Sequence, residues 1–303
     1  MAVFSSTDAQ VLMPRNIADG MVTDTQKGST VAALSGREPM RFGSTDIITF
    51  NDFPKAEFVA EGADKASTKG EFDYVTATPK KAQVTMRFNQ EVQFADEDYQ
   101  LGIFRELSSA GATALARALD LGLYYRINPL SGAVISGWTN YLNSTTLRVE
   151  VGANPDIDVE TAVGLVIDAQ KSPTGIAFDP SYAWTLATAR YSDGRKKFPE
   201  LGFGVNVTNF EGLAASVSDT VSGRPEADDT GVRAIVGDFR SGIRWGVQRD
   251  LPVELIRFGD PDGQGDLKRK NQIALRLEIV YGWYVFADRF AVIETADEEE
   301  EEG

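Results

Sequence analysis

Apolar and polar side chains alternate along two stretches of the chain. The first stretch covers residues 81–88, and its apolar side consists of Ala82, Val84, Met86 and Phe88. The second covers residues 272–281, and its apolar side consists of Ile273, Leu275, Leu277, Ile279 and Tyr281. Because successive side chains of a strand point to opposite faces, each stretch predicts a long β-strand with one buried face.

A polar excursion separates the first of these strands from a shorter strand-like run at residues 47–53. The excursion covers residues 61–71, and none of its side chains is both large and apolar. A segment of this composition adds nothing to a core, whereas the runs on either side have the pattern of paired strands. We therefore predict a long projecting hairpin with residues 61–71 at its tip.

The first fifty residues show neither helical nor strand periodicity over a useful length. Turn-forming residues recur through them, including Pro14, Gly20, Gly28, Gly36 and Gly43. We expect this segment not to be buried on the chain's own core. Two alternatives then stay open, a loose terminus or an extended arm that lies on a neighbouring molecule.

Apolar side chains next recur every three or four positions, which predicts a long amphipathic helix over residues 96–126. Acidic residues stand at its start, where a helix N-terminus favours them, and Asn128-Pro129 follows its end. At about 1.5 Å per residue the helix is about 45 Å long. Gly102, Gly111 and Gly122 are expected to weaken it, each by about 1 kcal/mol relative to alanine.

The second half of the chain has the pattern of an α+β module. Two helices are predicted at residues 157–170 and 180–190, with a short buried strand at residues 175–178 between them. Further strands are predicted at residues 232–236, 243–247 and 253–258, and apolar runs follow at residues 283–286 and 290–293. Five consecutive glutamates, 298–302, stand near the C-terminus and are expected to stay disordered because like charges repel.

Composition excludes several classes of function. The 303 residues contain no cysteine and no histidine, so thiol chemistry, zinc-thiolate sites and histidine-based catalysis are excluded. A formal charge of −15 disfavours binding to free DNA as the main task. No signal peptide and no apolar stretch of about 18 residues are present, so we expect a cytosolic product without a membrane span.

Three motifs are better explained by local structure than by ligand binding. Gly202-Phe203-Gly204 lacks the spacing of a nucleotide loop and is predicted to form a turn. The acidic segment 260–266 lacks oxygen ligands in the calcium-loop register, so a solvated turn is expected. The basic clusters 195–197 and 268–270 are interpreted as salt-bridge or subunit-contact charges. No metal or cofactor site is expected.

The order of these elements, together with several short runs, resembles one family. The runs are residues 58–65, Phe72, Val75, 79–81 and 94–98. They are similar to the major capsid proteins of tailed bacteriophages with the Hong Kong 97-like fold. The resemblance implies an α+β capsid fold with an N-terminal arm, an extended β-hairpin loop, a long spine helix, and peripheral and axial domains.

On this resemblance the chain divides into six parts. They are the N-terminal arm and entry strand (1–53), the extended loop (54–90), the peripheral domain with the spine helix (91–155), the axial domain (156–258), the return strands of the peripheral domain (259–295) and a disordered acidic tail (296–303). Met1 begins almost directly with the arm, so we expect any scaffolding to be a separate protein.

The function that the resemblance implies is a non-enzymatic one. Hexamers and pentamers of the chain are expected to assemble, in the host cytoplasm, into an icosahedral virion shell around double-stranded DNA that is bound without sequence specificity. Portal, scaffolding and decoration proteins are the expected partners, and no cofactor is needed. Two alternatives stay open: an encapsulin-like nanocompartment shell and, more remotely, a carboxylate-dependent hydrolase.

Some members of this family join their subunits by a lysine–asparagine isopeptide bond, a single-turnover autocatalytic reaction. The spacing of seven between Asn271 and Glu278 matches the asparagine-to-glutamate spacing of those members. Lys69, or else Lys65, lies where the resemblance places the attacking lysine. Seven is an odd number, so on a flat strand the two side chains face opposite sides unless a bulge intervenes or the asparagine precedes the strand. The alternative is that Asn271 only begins the strand, and that Glu278 pairs with Arg276 or with a lysine of a neighbouring copy.

Overall fold

The computed structural model of the protein describes residues 28–50, 56–61, 64, 72–91, 97–250 and 253–296. Its α-helices are α1 (Thr30–Leu34), α2 (Glu97–Tyr125), α3 (Pro155–Asp168), α4 (Pro180–Thr188) and α5 (Phe239–Gly242). Its strands are β1 (Thr45–Phe50), β2 (Phe72–Asn89), β3 (Leu147–Glu150), β4 (Gly175–Phe178), β5 (Asn209–Phe210), β6 (Leu213–Val217), β7 (Val232–Gly237), β8 (Ile243–Asp250), β9 (Glu254–Ile256), β10 (Gln272–Val285) and β11 (Phe290–Glu294).

The two strands with alternating patterns are partners in an antiparallel sheet. β2 and β10 pair from Thr78 opposite Trp283 to Asn89 opposite Gln272. The sheet continues with β1 on the far side of β2, and with β8 and β9 on the far side of β10. The residues of the alternating apolar face of β10 are buried, which confirms the predicted orientation of that strand.

The predicted long helix is α2, and it packs on the apolar face of this sheet. Leu115 and Leu119 belong to the same buried cluster as Leu277 and Trp283 of β10. A Cβ at Gly111 would stand 2.9 Å from Leu277 Cδ2, and one at Gly122 would stand 3.0 Å from the Trp283 ring. These glycines therefore let the helix approach the sheet closely. This close packing accompanies the lower helix propensity that glycine brings.

A second, six-stranded sheet has the order β3-β11-β7-β4-β6-β5. β4 and β11 are fully or almost fully buried, as their continuous apolar runs predict. Helices α3 and α4 pack on this sheet through Val159, Val166 and Leu186, which lie in a second buried cluster with Ile176 and Ile293. The predicted α+β module is therefore present, and its helices begin and end within two residues of the expected positions.

The two sheets do not coincide with the parts of the chain expected from the resemblance, in which residues 156–258 form the axial domain. β8 and β9, expected in the axial part, pair with β10 in the first sheet. β11, expected among the return strands, lies between β3 and β7 in the second sheet. The reason is that the chain crosses between the sheets three times, after β2 through α2, after β7 through α5 and after β10 through residues 286–289. A local pattern does not reveal long-range strand partners.

The expectation that the first fifty residues are not buried on the chain's own core is wrong for residues 29–35. These residues form α1 and its caps, and Val31 and Leu34 are buried in the first cluster. The following segment crosses the first sheet, where Glu38 N donates to Trp245 O at 2.9 Å. A five-residue helix is too short to show periodicity, so the sequence did not reveal it. Residues 1–27 lie outside the described residues.

Candidate crosslink site and subunit contacts

Strands β1 and β2 form a two-stranded ribbon at the edge of the first sheet. Residues 72–77 of β2 pair with β1, and β10 pairs with β2 only from Thr78 onward. Ile48 and Tyr74 are direct cross-strand partners on one face of the ribbon, and they are 73% and 65% exposed. An isolated two-stranded ribbon is marginally stable in water, so this apolar pair is a candidate contact for another molecule. Most of the predicted tip, including Lys65 and Lys69, lies outside the described residues.

Asn271 stands immediately before β10, in the left-handed backbone region with φ 56°. Its side-chain Nδ2 donates to Glu91 Oε1 at 2.9 Å, and its carbonyl oxygen accepts from Gln90 N at 2.9 Å. Asparagine tolerates this backbone conformation better than most residues. The residue is exposed at the end of the sheet.

Glu278 lies in the middle of β10 opposite Gln83 of β2. Its carboxylate is largely buried and forms an ion pair with Lys81 of the same chain, with 2.7 Å between Lys81 Nζ and Glu278 Oε1. Arg276 does not pair with Glu278 here, because its guanidinium donates to Thr85 Oγ1 and to Pro261 O. Within one copy, Lys81 therefore holds the carboxylate in place.

One copy of the chain does not bring the two candidate residues together. Seven positions separate Asn271 from Glu278, which is about 23 Å along an extended strand. Asn271 precedes the strand, so strand alternation alone does not fix the direction of its side chain. Any reaction that uses both residues at one point would need residues from different copies.

Lys80 is a buried lysine that the sequence analysis did not single out. Its Nζ lies 4.3 Å from the ring centroid of Trp283 and 5.5 Å from that of Trp138, and it donates to Thr78 Oγ1 at 3.1 Å. Burial lowers the pKa of Lys80 to about 8, although the faces of the rings favour the ammonium. The side chain is 8% exposed and packs on its own chain, so it is not presented to a neighbouring molecule.

Asp120 joins α2 to α1 and is fully buried. One carboxylate oxygen accepts from Ser29 Oγ, and the other accepts from Thr30 N at 2.9 Å and from Thr220 Oγ1 at 2.8 Å. Burial raises the pKa of Asp120, and these hydrogen bonds oppose the rise. In the sequence, Asp120 stands between Leu119 and Leu121 in the predicted helix, and an acidic residue at such a position indicates a buried polar contact. The sequence analysis did not use this signal.

The acidic turn at residues 260–266 is attached to the first sheet. The guanidinium of Arg87 in β2 pairs with Asp260 at 2.9 Å and also with Asp262. Hydrogen bonding to Arg87 holds the pKa of Asp262 below its usual value. Within the described ranges, no group of three acidic side chains is arranged to hold a metal ion. The turn is therefore ion-paired, rather than simply solvated as expected.

The glycine loop and the first basic cluster have local structural roles. Gly204 has φ 77°, and a Cβ there would stand 2.5 Å from Ala183 O, so this position needs glycine. Lys197 Nζ pairs with Asp156 at 2.6 Å, and Arg195 pairs with Asp193 at 2.6 Å. The turn and salt-bridge interpretations are confirmed at these positions.

Solved bacteriophage structures are similar to this chain over most of its length. A chain from Mycobacterium phage Ogopogo has 45% sequence identity and a TM-score of 0.79, and the match covers 88% of this chain and 92% of that chain. A chain from Gordonia phage Cozz has 30% identity and a TM-score of 0.77, with 89% and 87% covered. The capsid of an empty GTA particle computed with C5 symmetry has 15% identity and a TM-score of 0.60, with 89% and 90% covered. No protein-family model and no curated protein match the sequence.

The fold and these neighbours define the class as a structural protein of a bacteriophage capsid shell. The chain belongs to the major capsid proteins of tailed bacteriophages with the Hong Kong 97-like fold. The resemblance inferred from the sequence and the α+β fold class are confirmed. The neighbours place such a protein in the virion. None of the helices in the described part of the chain is both long and apolar enough to cross a membrane.

Proposed function

We propose that this protein self-assembles through hexamers and pentamers into an icosahedral head shell that encloses double-stranded DNA. The observation that carries the proposal is the 45% identity over 88% of the chain to a phage structure of the same fold. Assembly takes place in the host cytoplasm, with portal, scaffolding and decoration proteins as separate partners. Each subunit needs no cofactor, because its task is to form contacts with its copies.

The ribbon of β1 and β2 supports a contact between neighbouring copies. Its exposed pair, Ile48 and Tyr74, gains burial only if another surface covers it. The proposed cover is the body of an adjacent subunit, so that the ribbon and the tip beyond it overlap a neighbour. Many such modest contacts, repeated by symmetry, stabilise a shell without a single strong interface.

The charge of the chain supports enclosure of DNA without specific binding. With 45 acidic against 30 basic side chains, an average surface of the shell repels phosphate groups. DNA inside an acidic shell is confined by the wall and does not adhere to it. This charge balance suits a container better than a nucleic-acid-binding protein.

Expression of the chain with its scaffolding partner, followed by electron microscopy and native mass measurement, tests the proposal. Closed shells with five-fold vertices are expected, and particles from infected cells are expected to contain nuclease-protected double-stranded DNA. Small discrete oligomers as the final product would contradict assembly. Shells that hold a protein cargo and no DNA would contradict enclosure of a genome.

We also propose that neighbouring copies are joined by an isopeptide bond. The neutral amine of Lys69, or of Lys65, attacks the carboxamide carbon of Asn271 on a second copy, and Glu278 of a third copy takes the amine proton. An amide bond forms between lysine and asparagine, the carbon–nitrogen bond of the carboxamide breaks, and Glu278 passes the proton to that nitrogen, which leaves as ammonia. The exposed position of Asn271 and the largely buried carboxylate of Glu278 support these roles.

A further inference from the structure

An exposed apolar surface lies where α4 meets the loop of residues 202–205. Trp184, Phe203 and Val205 are each more than half exposed. Gly204 lies directly against the backbone of Ala183 and Trp184, so the loop that carries residues 203 and 205 adjoins α4 at residue 184. We call these three side chains the aromatic patch. Apolar groups of this size, exposed together, are typical of an interaction surface.

The aromatic patch has a basic rim. Lys196 Nζ lies 5.2 Å from the ring centroid of Phe203 and donates to Gly202 O at 2.7 Å. Arg195 precedes it, and its side chain is 81% exposed while it pairs with Asp193. Aromatic and arginine side chains are the types enriched at the centres of protein interfaces. The rim favours a partner surface that is apolar and negatively charged.

Helix α3 presents such a surface on the same sheet. Its inner face is buried through Val159, Ala162 and Val166. Its outer face exposes a second set of side chains, which we call the acidic strip: Ile157, Glu160, Ile167 and Asp168. This strip combines two aliphatic groups with two carboxylates, so its chemistry complements that of the aromatic patch and its rim.

We propose that the aromatic patch of one copy docks on the acidic strip of the next copy in a ring of subunits. The inference rests on the proposed assembly into a shell. Contact between two aromatic patches would bring Lys196 and Arg195 of both copies together, and such like-charge contacts are unfavourable. A contact between two different surfaces avoids this repulsion, and with a closing rotation it generates rings.

Charge reversal in the full chain tests the contact. The variant Arg195→Glu/Lys196→Glu places acidic groups opposite the acidic strip, so we expect the fraction of subunits found in shells to fall about tenfold or more. Adding Glu160→Lys/Asp168→Lys to the same chain reverses both surfaces and is expected to restore assembly. Arg105→Glu, at an exposed arginine of α2, and Leu130→Ser, at an exposed leucine elsewhere, serve as controls.

Sedimentation and electron microscopy measure assembly, and circular dichroism verifies that each variant is folded. If the wild-type chain forms no shell, the result contradicts the proposed function rather than the proposed contact. If the wild type assembles and the rim variant assembles equally well, the contact is wrong. The contact is also wrong if the doubly reversed chain is folded but is no better at assembly than the rim variant. If the rim variant is unfolded, Trp184→Ser takes its place, and unchanged assembly of that folded variant overturns the proposal.

Discussion

At the residue scale, single buried charges fix the position of the N-terminal segment. The Asp120 carboxylate accepts hydrogen bonds from the backbone N–H and the hydroxyl of Thr30, at the start of α1, and from the hydroxyl of Thr220. Burial of a carboxylate destabilises the fold unless hydrogen-bond donors surround it. Buried donors that lose their acceptor also destabilise the fold. Most of the polar contacts between α1 and α2 therefore involve this one side chain.

Replacement of Asp120 by alanine is expected to lower the free energy of unfolding by about 3 kcal/mol, because several buried donors lose their acceptor. Urea denaturation of the unassembled subunit measures the change. Asp168→Asn, which alters an exposed carboxylate at the end of α3, serves as the control and is expected to change stability little. An equal effect of the two variants would contradict the role given to Asp120.

Lys80 is expected to give stability an alkaline dependence. Its pKa is about 8 in the folded chain and near 10.5 when exposed, so between these values the unfolded chain binds more protons. Stability attributable to Lys80 therefore rises as the pH rises through this window. Lys80→Met should remove that rise in the urea midpoint between pH 7 and pH 10, while Lys81→Met should retain it. A rise that persists unchanged in Lys80→Met would contradict the assignment.

Covalent joining of copies is the prediction with the most direct readout. Mature particles boiled in detergent should show a ladder of covalent multimers on a gel. Asn271→Ala removes the electrophile and Glu278→Gln removes the base, so each should give a single monomer band. Asn209→Ala, at an exposed asparagine elsewhere, is the control and should keep the ladder. A single band from fully mature wild-type particles would exclude the crosslink.

At the element scale, the sequence predicted those elements whose pattern is long. The alternation in β10 and the helical spacing in α2 gave positions within a few residues, since each pattern repeats many times. Helix α1 has five residues and no repeat, so it was missed. The sheet partners of β8 and β11 could not be predicted, because apolar content shows that a strand is buried but not which strand lies beside it.

The tip of the hairpin, residues 61–71, is expected to gain protection from protease on assembly. The tip contributes no large apolar side chain to its own subunit, and the ribbon that carries it projects from the first sheet. Unassembled subunits should be cut early within this segment, and intact shells should resist. Mass spectrometry of timed digests measures both rates. Equal rates in the two states would show that the neighbour does not cover the tip.

At the scale of the whole molecule, the acidic tail and the strand β11 before it are expected to contribute differently to folding. Truncation after Ala296 removes only a run of acidic residues and a terminal glycine, so the subunit should remain soluble and folded. Truncation after Val285 also removes β11, whose first four residues are fully buried and which lies between β3 and β7, and should abolish folding. Circular dichroism and solubility distinguish the outcomes. Misfolding of the shorter truncation would mean that the tail itself is part of the fold.

The positions of β10 and β11 bear on the timing of synthesis. Each is an interior strand of its sheet, yet both come from the last part of the chain. Before residues 272–294 are added, the first sheet lacks the strand that joins β2 to β8, and the second sheet lacks the strand that joins β3 to β7. A nascent or prematurely terminated chain therefore has no finished surface to offer to completed copies. The order of strands thus makes the closing of both sheets depend on residues 272–294.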